Sequence, residues 1–205
     1  MKFAYHATMC PPDQYLPLAL AAEAAGFDTF TFPDSICYPK EGSDVYPYND
    51  DGTREFLDGV PFLEPFVAIP YLAAKTEKLR FTTSVVKLAI RQPVIVAKQL
   101  SSLGVMIGDR FGFGVGISPW PEDFLATQIP WDKRGKRMDE MMEIVNGLMS
   151  GEYFGYDGEI FQLDPIKLCP VPDHHIPLLV GGHAKPALRR AAQLGDGWIS
   201  AGSSV

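Results

Sequence analysis

Apolar and polar positions follow two different periods along the chain, and the two periods alternate. Short apolar runs rich in β-branched and aromatic residues predict strands, whereas longer segments with apolar positions three or four residues apart predict helices. The predicted strands cover residues 1–6, 29–32, 79–88, 110–117, a run beginning at 177, and 197–200. The predicted helices cover residues 16–25, 64–75, 94–107, 134–149 and a segment beginning near 185. This order indicates six parallel strands with helices between them, an α/β fold.

One segment departs from that order. Between residues 152 and 163, aromatic and polar residues alternate around Tyr156, Asp157 and Gly158. Asp-Gly is a preferred pair in tight β-turns, so this segment predicts a β-hairpin with that pair at its turn. No stretch of the chain has the composition of a domain linker, and residues 1–205 are therefore expected to form a single domain.

Two parallel architectures fit this pattern. A doubly wound sheet places a glycine-rich nucleotide loop after its first strand, but here the segment HATMCPP follows that strand and contains no glycine. A barrel instead builds its site from loops at the carboxyl ends of several strands. Polar residues and glycines do stand at these ends: His6, Pro33-Asp34-Ser35, Ser84-Val85, Gly116-Ile117-Ser118 and Gly181-Gly182-His183. The pattern favours a (β/α)8 barrel. Since a complete barrel needs about 250 residues, its last βα units are expected to be missing.

Gly112, Gly114 and Gly116 alternate in one predicted strand and therefore share one face. The run GFGVG superficially resembles a dinucleotide-binding fingerprint, but Pro119 and Pro121 stand where the helix of that motif should open. Small residues in this pattern indicate close approach, by neighbouring side chains or by a flat ligand. Both interpretations stay open for Gly112 and Gly114, whereas Gly116 ends the strand, where ligand contact is favoured.

Composition and charge narrow the function. Hydrophobic residues make up 46% and charged residues 21% of the chain, which is typical of a globular domain. The formal charge of −7 argues against a nucleic-acid partner, and no apolar run has the length of a membrane span. The three cysteines are widely spaced and no signal peptide precedes them, which predicts reduced thiols in a cytoplasmic protein.

A metal site is not expected. Cys169, His174 and His175 lie close together in the run CPVPDHH, but this spacing matches no zinc pattern, and the prolines predict a loop.

Several segments, taken together, resemble the luciferase-like family of flavin- and deazaflavin-dependent oxidoreductases. They include ALAAEAAGFDTFTFPDS, LAAKTEKLRFTTSVV, RQPVIVAKQLSSL, GDRFGFGVGIS and PLLVGGHAKPALRRAAQLGDGW, and they occur in the order the family has. The resemblance implies a (β/α)8 barrel with the cofactor ring in its carboxyl-terminal mouth. It also implies the branch that uses the deazaflavin coenzyme F420, with FMN as the alternative cofactor.

The resemblance assigns roles to individual residues. Asp34 and the Ser84-Val85 pair, which in the family forms a non-prolyl cis peptide, would contact the ring, as would Gly116, Ile117 and Ser118. The turn formed by Gly181, Gly182, His183 and Ala184 would hold the cofactor phosphate, because the first amides of a helix attract anions. From the residues alone, an ordinary tight turn and an ordinary strand at Ser84-Val85 are the alternatives.

The chain also departs from the sugar-phosphate dehydrogenases of that branch. Ser35 follows Asp34 where those enzymes carry His, and Pro119 stands where they carry Glu. Other residues must then move protons, and the candidates are His6, Asp34, Glu122 and Asp123. Four aromatic residues of the long second loop are candidates for a substrate lid: Tyr46, Tyr48, Phe56 and Phe62.

These features predict an oxidoreductase that transfers a hydride between F420 and a small organic substrate. An FMN-dependent monooxygenase and a non-catalytic, shortened flavin-binding barrel are the alternatives. No membrane or nucleic-acid partner is expected, and a homodimer is compatible with the family.

Overall fold

The computed structural model describes residues 1–43, 46 and 50–200. The strands are β1 (Ala4–His6), β2 (Thr29–Phe32), β3 (Arg80–Thr83), β4 (Val86–Lys87), β5 (Phe111–Gly116), β6 (Phe154–Asp157), β7 (Gln162–Ile166), β8 (Leu178–Gly181) and β9 (Gly197–Ile199). The helices are α1 (Tyr15–Ala24), α2 (Pro65–Ala73), α3 (Pro93–Ile107), α4 (Pro121–Ala126), α5 (Arg134–Leu148) and α6 (Lys185–Gln193). Short 3₁₀ turns cover Pro12–Gln14, Glu55–Leu57, Leu88–Ile90 and Gly108–Arg110.

A curved parallel sheet forms the wall of a barrel. Its strands lie in the order β1-β2-β3-β5-β8-β9, and the short β4 pairs with the carboxyl end of β5. In the described part of the chain, β1 and β9 are the two edges and do not pair with each other. The prediction of six parallel strands is therefore confirmed.

The core lies between this wall and the helices. Phe30, Phe32, Phe81, Phe111 and Phe113 alternate along adjacent strands and are fully buried. Every residue of β5 is buried, as expected for a central parallel strand that is covered on both faces. Each of these phenylalanines contributes about 1.5–3 kcal/mol of burial free energy.

Gly114 is a packing position. An ideal Cβ atom on Gly114 would lie 1.8 Å from the carbonyl oxygen of Thr83, so no larger residue fits. The Thr83 hydroxyl donates to the Gly114 carbonyl at 2.7 Å and accepts from the Gly114 N–H at 2.9 Å. Of the two interpretations left open by the sequence, close packing between β3 and β5 is the one the structure supports here.

Two glutamates hold loops to the wall through backbone amides. Glu23 accepts hydrogen bonds from the amides of Glu77, Lys78 and Leu79, at 2.7–2.9 Å. Glu140, whose side chain is completely buried, accepts from the amides of residues 159–161 at 2.9–3.0 Å. Burial by itself raises the pKa of each carboxyl, but the amide bonds outweigh it and hold both pKa values below the ordinary value.

Three sequence predictions need correction. The run 79–88 is not one strand, because β3 ends at Thr83 and β4 begins only at Val86. Prolines do not prevent a helix after β5: α4 begins at Pro121, a residue that fits the first helical position because it lacks only an N–H that is unpaired there anyway. The hairpin β6–β7 is confirmed, but its turn extends from Gly158 to Phe161 rather than being centred on Asp157-Gly158.

Several elements are shorter than predicted by one to three residues; β1, for example, begins at Ala4, α2 ends at Ala73 and α5 ends at Leu148. Within the described residues, no helix is both long enough and apolar enough to cross a membrane.

Candidate active site

A cleft of about 640 Å³ opens at the carboxyl ends of the strands. It brings together most of the side chains and glycines that the sequence singled out. Its lining includes His6, Asp34, Ser84, Val85, Gly116, Ile117, Ser118, Gly181 and Gly182. These residues come from widely separated parts of the chain, and parallel strands bring them together because all the carboxyl ends lie at the same edge of the sheet.

A second cleft, of about 680 Å³, continues from the first. Ile117, Ser118, Pro119, Gly181 and Gly182 line both. The second cleft reaches the predicted His183 and Ala184 at the start of α6, and also the start of α5. The mouth is therefore continuous with a region bounded by the N-terminal ends of two helices.

The peptide between Ser84 and Val85 is cis, as the resemblance implies. The Val85 side chain lies between Gly116 and Gly181: an ideal Cβ atom would be 2.6 Å from Val85 Cγ2 at Gly116 and 2.7 Å from Cγ1 at Gly181. These two glycines thus leave room for Val85. Together the three residues form a compact floor under the mouth.

In the Gly181–Ala184 turn, which the resemblance assigns to the cofactor phosphate, not every amide is free to bind an anion. Gly182 has φ of +117°, a conformation suited to glycine, and its N–H donates to the Ile199 carbonyl at 3.4 Å. That amide is directed toward β9. Helix α6 has no side-chain cap at Ala184. Pro186 has no N–H, and the Ala187 N–H donates to the Ala184 carbonyl at 2.8 Å, so the Lys185 N–H is the amide of the first turn that remains for an anion.

Basic side chains surround this second region. Arg190 lines it and pairs with Asp139, while Lys133 and Arg134 line it from the start of α5. Arg134 lies 3.8 Å from the centre of the Trp131 ring. Lys133 and Arg134 were not among the residues predicted from the sequence. Their position was a usable signal, because cations at a helix N-terminus oppose the helix dipole unless an anion binds there.

His6 is the candidate proton carrier that lines the mouth without an ion pair. Its Nδ1 lies 2.6 Å from Thr31 Oγ1, and Thr31 Oγ1 donates to the Tyr5 carbonyl at 3.5 Å. In the tautomer in which Nδ1–H donates to the Thr31 oxygen, Nε2 carries the lone pair and can accept a proton. Desolvation at the cleft lowers the pKa of His6 below its ordinary value, although the residue is exposed at the end of β1.

Asp34 lines the mouth, but both of its carboxylate oxygens already accept hydrogen bonds within the protein. Its two carboxylate oxygens each lie 3.0 Å from Nη2 of Arg91, and one of them accepts from the backbone N–H of Lys87 at 2.9 Å. Only 2% of its side chain is exposed. This arrangement makes Asp34 a residue that holds the segment from Lys87 to Arg91 in place.

Glu122 and Asp123 do not line the mouth cleft. Glu122 accepts from the Ser43 amide at 2.7 Å and lies 3.8 Å from Arg54. Burial raises its pKa, but these partners outweigh burial and lower it. Asp123 is completely buried, 2.6 Å from Lys87 Nζ and 2.5 Å from Ser118 Oγ.

The aromatic residues proposed as a lid partly cover the mouth. Tyr46, Phe56 and Phe62 line it, and Tyr46 stacks on Trp120 with ring centres 5.0 Å apart. Arg54 lies 4.5 Å from the centre of the Trp120 ring. Tyr48 lies outside the described residues.

In the described residues, no group of three or more His, Cys, Asp or Glu side chains is arranged to hold a metal ion. His174 Nδ1 lies 3.2 Å from Asp173, and His175 Nε2 lies 2.8 Å from Asp196.

A parallel α/β barrel wall with a two-part ligand cleft at its strand ends defines the class of protein. Residues 3–204 match the family model described as luciferase-like monooxygenase, and the chain belongs to this family. Among its relatives, an uncharacterized protein of Mycobacterium tuberculosis is 53% identical over 202 residues, which are 98% of this chain and 70% of that protein. An F420-dependent glucose-6-phosphate dehydrogenase of Microbacterium testaceum is 26% identical over 98% of this chain and 56% of its own length.

Solved structures show the same fold. An F420-dependent secondary alcohol dehydrogenase in complex with an F420-acetone adduct superposes with a TM-score of 0.77 at 22% identity, covering 97% of this chain and 57% of that one. The oxygenating constituent of 3,6-diketocamphane monooxygenase from Pseudomonas putida, in complex with FMN, superposes with a TM-score of 0.70 at 16% identity, covering 94% and 54%. The chain thus spans little more than half the length of these two structures.

Proposed function

We propose that the protein is an oxidoreductase that binds coenzyme F420 in the two-part cleft and transfers a hydride between F420 and a small organic substrate. The observation that carries this proposal is the continuity of the two clefts through Ile117, Ser118, Gly181 and Gly182. A flat ring fits the mouth over the floor made by Val85, Gly116 and Gly181, while the phosphate fits the uncapped start of α6.

When bound, F420 supplies two-electron hydride chemistry, and the protein supplies binding, orientation and proton handling. Arg134 and the Lys185 N–H would hold the anionic part of the cofactor, beside Lys133, whose Nζ also lies 2.5 Å from Glu159. His6, with its basic Nε2 in the mouth, would hold or release the substrate proton. The aromatic residues around Trp120 would keep water away from the reacting atoms.

Two relatives support F420 by what their names state: the glucose-6-phosphate dehydrogenase and the secondary alcohol dehydrogenase both use it. FMN is the second candidate cofactor, because the FMN-bound monooxygenase shares the fold. An FMN-dependent monooxygenase is accordingly the second candidate function.

Fluorescence titration separates these candidates, since F420 and FMN absorb and emit at different wavelengths. We expect saturable binding of F420, and Gly182→Leu should weaken it by at least about tenfold because a side chain at φ of +117° distorts the turn. Gly26→Leu is the matched control: Gly26 also has positive φ, at +81°, but lies at the end of α1, away from the cleft. Binding of FMN without F420 would overturn the proposal.

Binding of F420 without any reduction of it by alcohols would instead favour a non-catalytic flavin-binding barrel. Absorbance of oxidised F420, followed in the presence of a panel of alcohols, distinguishes these two outcomes.

A further inference from the structure

The positive charge that faces the mouth cleft is neutralised within the protein. Lys87 lines the cleft, yet its Nζ lies 2.6 Å from Asp123 Oδ2. Asp123 is completely buried, and only 10% of the Lys87 side chain is exposed. A lysine with a buried carboxylate at this distance has little remaining attraction for an anionic ligand, because bringing the anion in would require desolvating it without a free counter-charge.

The negative charge at the same cleft is neutralised as well. Asp34 is paired with Arg91 through both carboxylate oxygens. Among the described residues that line the mouth, Lys87 and Asp34 carry a formal charge at neutral pH, and His6 is a third ionisable side chain. His6 bonds to Thr31 through Nδ1, and desolvation lowers its pKa. The part of the mouth formed by the described residues therefore has polar groups, and its lysine and its carboxylate are each paired within the protein.

The side of the mouth nearest to the second loop is apolar. Its lining residues are Met9, Phe56, Leu57, Phe62 and Trp120, with Tyr46 stacked on Trp120. Pockets for small organic ligands have this composition, a mainly apolar wall with a few polar groups that set the orientation. The neighbouring cleft is lined by Lys133, Arg134 and Arg190, of which Lys133 pairs with Glu159 at an exposed site and Arg190 pairs with Asp139.

We propose that the substrate is an uncharged, mainly apolar alcohol or ketone, and that the Lys87–Asp123 pair is the element that excludes anionic substrates such as sugar phosphates. This inference rests on the proposed F420-dependent function and adds the substrate class to it. Anionic substrates are disfavoured because an anion in the mouth would lose its hydration without forming an ion pair with an unpaired cation.

The reaction assigned to this site balances with the residues present. Oxidation of a secondary alcohol breaks the carbinol C–H and O–H bonds. F420, when bound in its oxidised form, would supply the acceptor for the hydrogen on carbon and its electron pair. His6 Nε2 would take the hydroxyl proton, and the C–O bond would become a carbonyl. Ketone reduction is the reverse, with the proton supplied by His6.

Two probes that differ mainly in charge test the substrate class directly. Cyclohexanone and cyclohexanecarboxylate share an apolar ring, and their dissociation constants are measured by isothermal titration calorimetry, both with saturating F420 and without it. We expect cyclohexanone to bind at least about tenfold more tightly than the carboxylate. Equal or tighter binding of the carboxylate overturns the inference, and so does the absence of cyclohexanone binding.

The Lys87–Asp123 pair is tested by changing its charge. Asp123→Asn leaves Lys87 without its carboxylate, and we expect the preference for cyclohexanone over cyclohexanecarboxylate to shrink by at least about tenfold. In the double variant Lys87→Gln/Asp123→Asn, which has no charge at the pair, the preference should stay as in the unmodified protein. A preference that is unchanged in Asp123→Asn shows that the pair does not select the substrate.

The double variant also guards against misfolding, because it removes the buried charges together rather than leaving one unpaired. Circular dichroism confirms that each variant is folded before titration. The F420 titration is independent of these measurements: loss of F420 binding contradicts the proposed function, whereas normal F420 binding with tight carboxylate binding contradicts only the substrate class.

Discussion

The Val85 side chain occupies the space that a side chain at Gly116 would need. An ideal Cβ atom on Gly116 would lie 2.6 Å from Val85 Cγ2, closer than carbon atoms approach in folded proteins. The floor of the mouth is therefore made by two residues that constrain each other. A change in either one alters the surface on which a flat cofactor ring would rest.

This contact predicts a double-mutant effect. Gly116→Ala should destabilise the protein by about 1–3 kcal/mol, because overpacking forces neighbouring atoms apart. In a Val85→Ala background, the same substitution should cost much less, since Cγ2 is gone. Urea denaturation of the single and double variants measures the coupling. Additive costs would show that Val85 and Gly116 do not compete for the same space.

The alternation of strands and helices could be predicted because each element carries its period in the sequence. The cis peptide at Ser84-Val85 and the roles of the strand ends came from the family resemblance. Helix α4 was missed because Pro121 was interpreted as a helix breaker, whereas it occupies the first helical position. The strand ends converge at one edge whatever residues they carry, which explains why these positions were the most predictable part of the site.

The partners of the site residues could not be predicted. Asp34 binds Arg91 and Lys87 binds Asp123, and these pairs join residues that are far apart in the chain. A sequence shows which charges exist but not which of them meet. The carboxylate–amide contacts of Glu23 and Glu140 are equally invisible, because every backbone carries the same N–H donors.

The Asp34–Arg91 pair should matter more for stability than for proton transfer. Asp34→Asn leaves Arg91 without its bidentate partner, and we expect a loss of about 3 kcal/mol, the lower end for breaking a buried pair, because Arg91 retains Glu64 at 3.2 Å. Thermal and urea unfolding measure this loss. If Asp34 were instead the proton carrier, the variant would lose turnover with F420 while keeping its unfolding midpoint.

Glu140 should make stability depend on acidic pH. Its folded pKa is lowered, so its contribution to stability is complete above the unfolded value of 4.5 and is lost as pH falls through the folded pKa. Glu140→Gln should lower the free energy of unfolding at pH 7 by about 1–3 kcal/mol and flatten its decline below pH 4.5. Urea unfolding as a function of pH checks both effects. Glu152→Gln is the control: the Glu152 side chain is 80% exposed, and its substitution should change the free energy of unfolding little.

His6 should control proton transfer without controlling cofactor binding. Because burial lowers its pKa, the neutral form persists below pH 6.5, and alcohol oxidation should lose rate only as pH falls through that lowered pKa. His6→Ala should reduce kcat by about 10²–10⁴-fold and abolish the fall of the rate at low pH, while the affinity for F420 should change little. Thr31→Val removes the hydrogen bond to Nδ1. It should shift the pH at which the oxidation rate falls while leaving a measurable rate. An identical pH profile in His6→Ala would assign the proton to another group.

Arg134 should bind the anionic part of the cofactor by charge. It lines the second cleft at the start of α5, where a cation is unfavourable unless an anion is present. Arg134→Ala should therefore weaken F420 binding by about three- to tenfold at low salt, and the difference from the unmodified protein should shrink at 1 M NaCl, where the Debye length is about 3 Å. Lys75→Ala removes the same charge just after α2, away from both clefts, and should leave the affinity unchanged. Fluorescence titration of F420 at two salt concentrations gives both comparisons. Equal effects of the two substitutions would mean that net charge, rather than a site at the start of α5, sets the affinity.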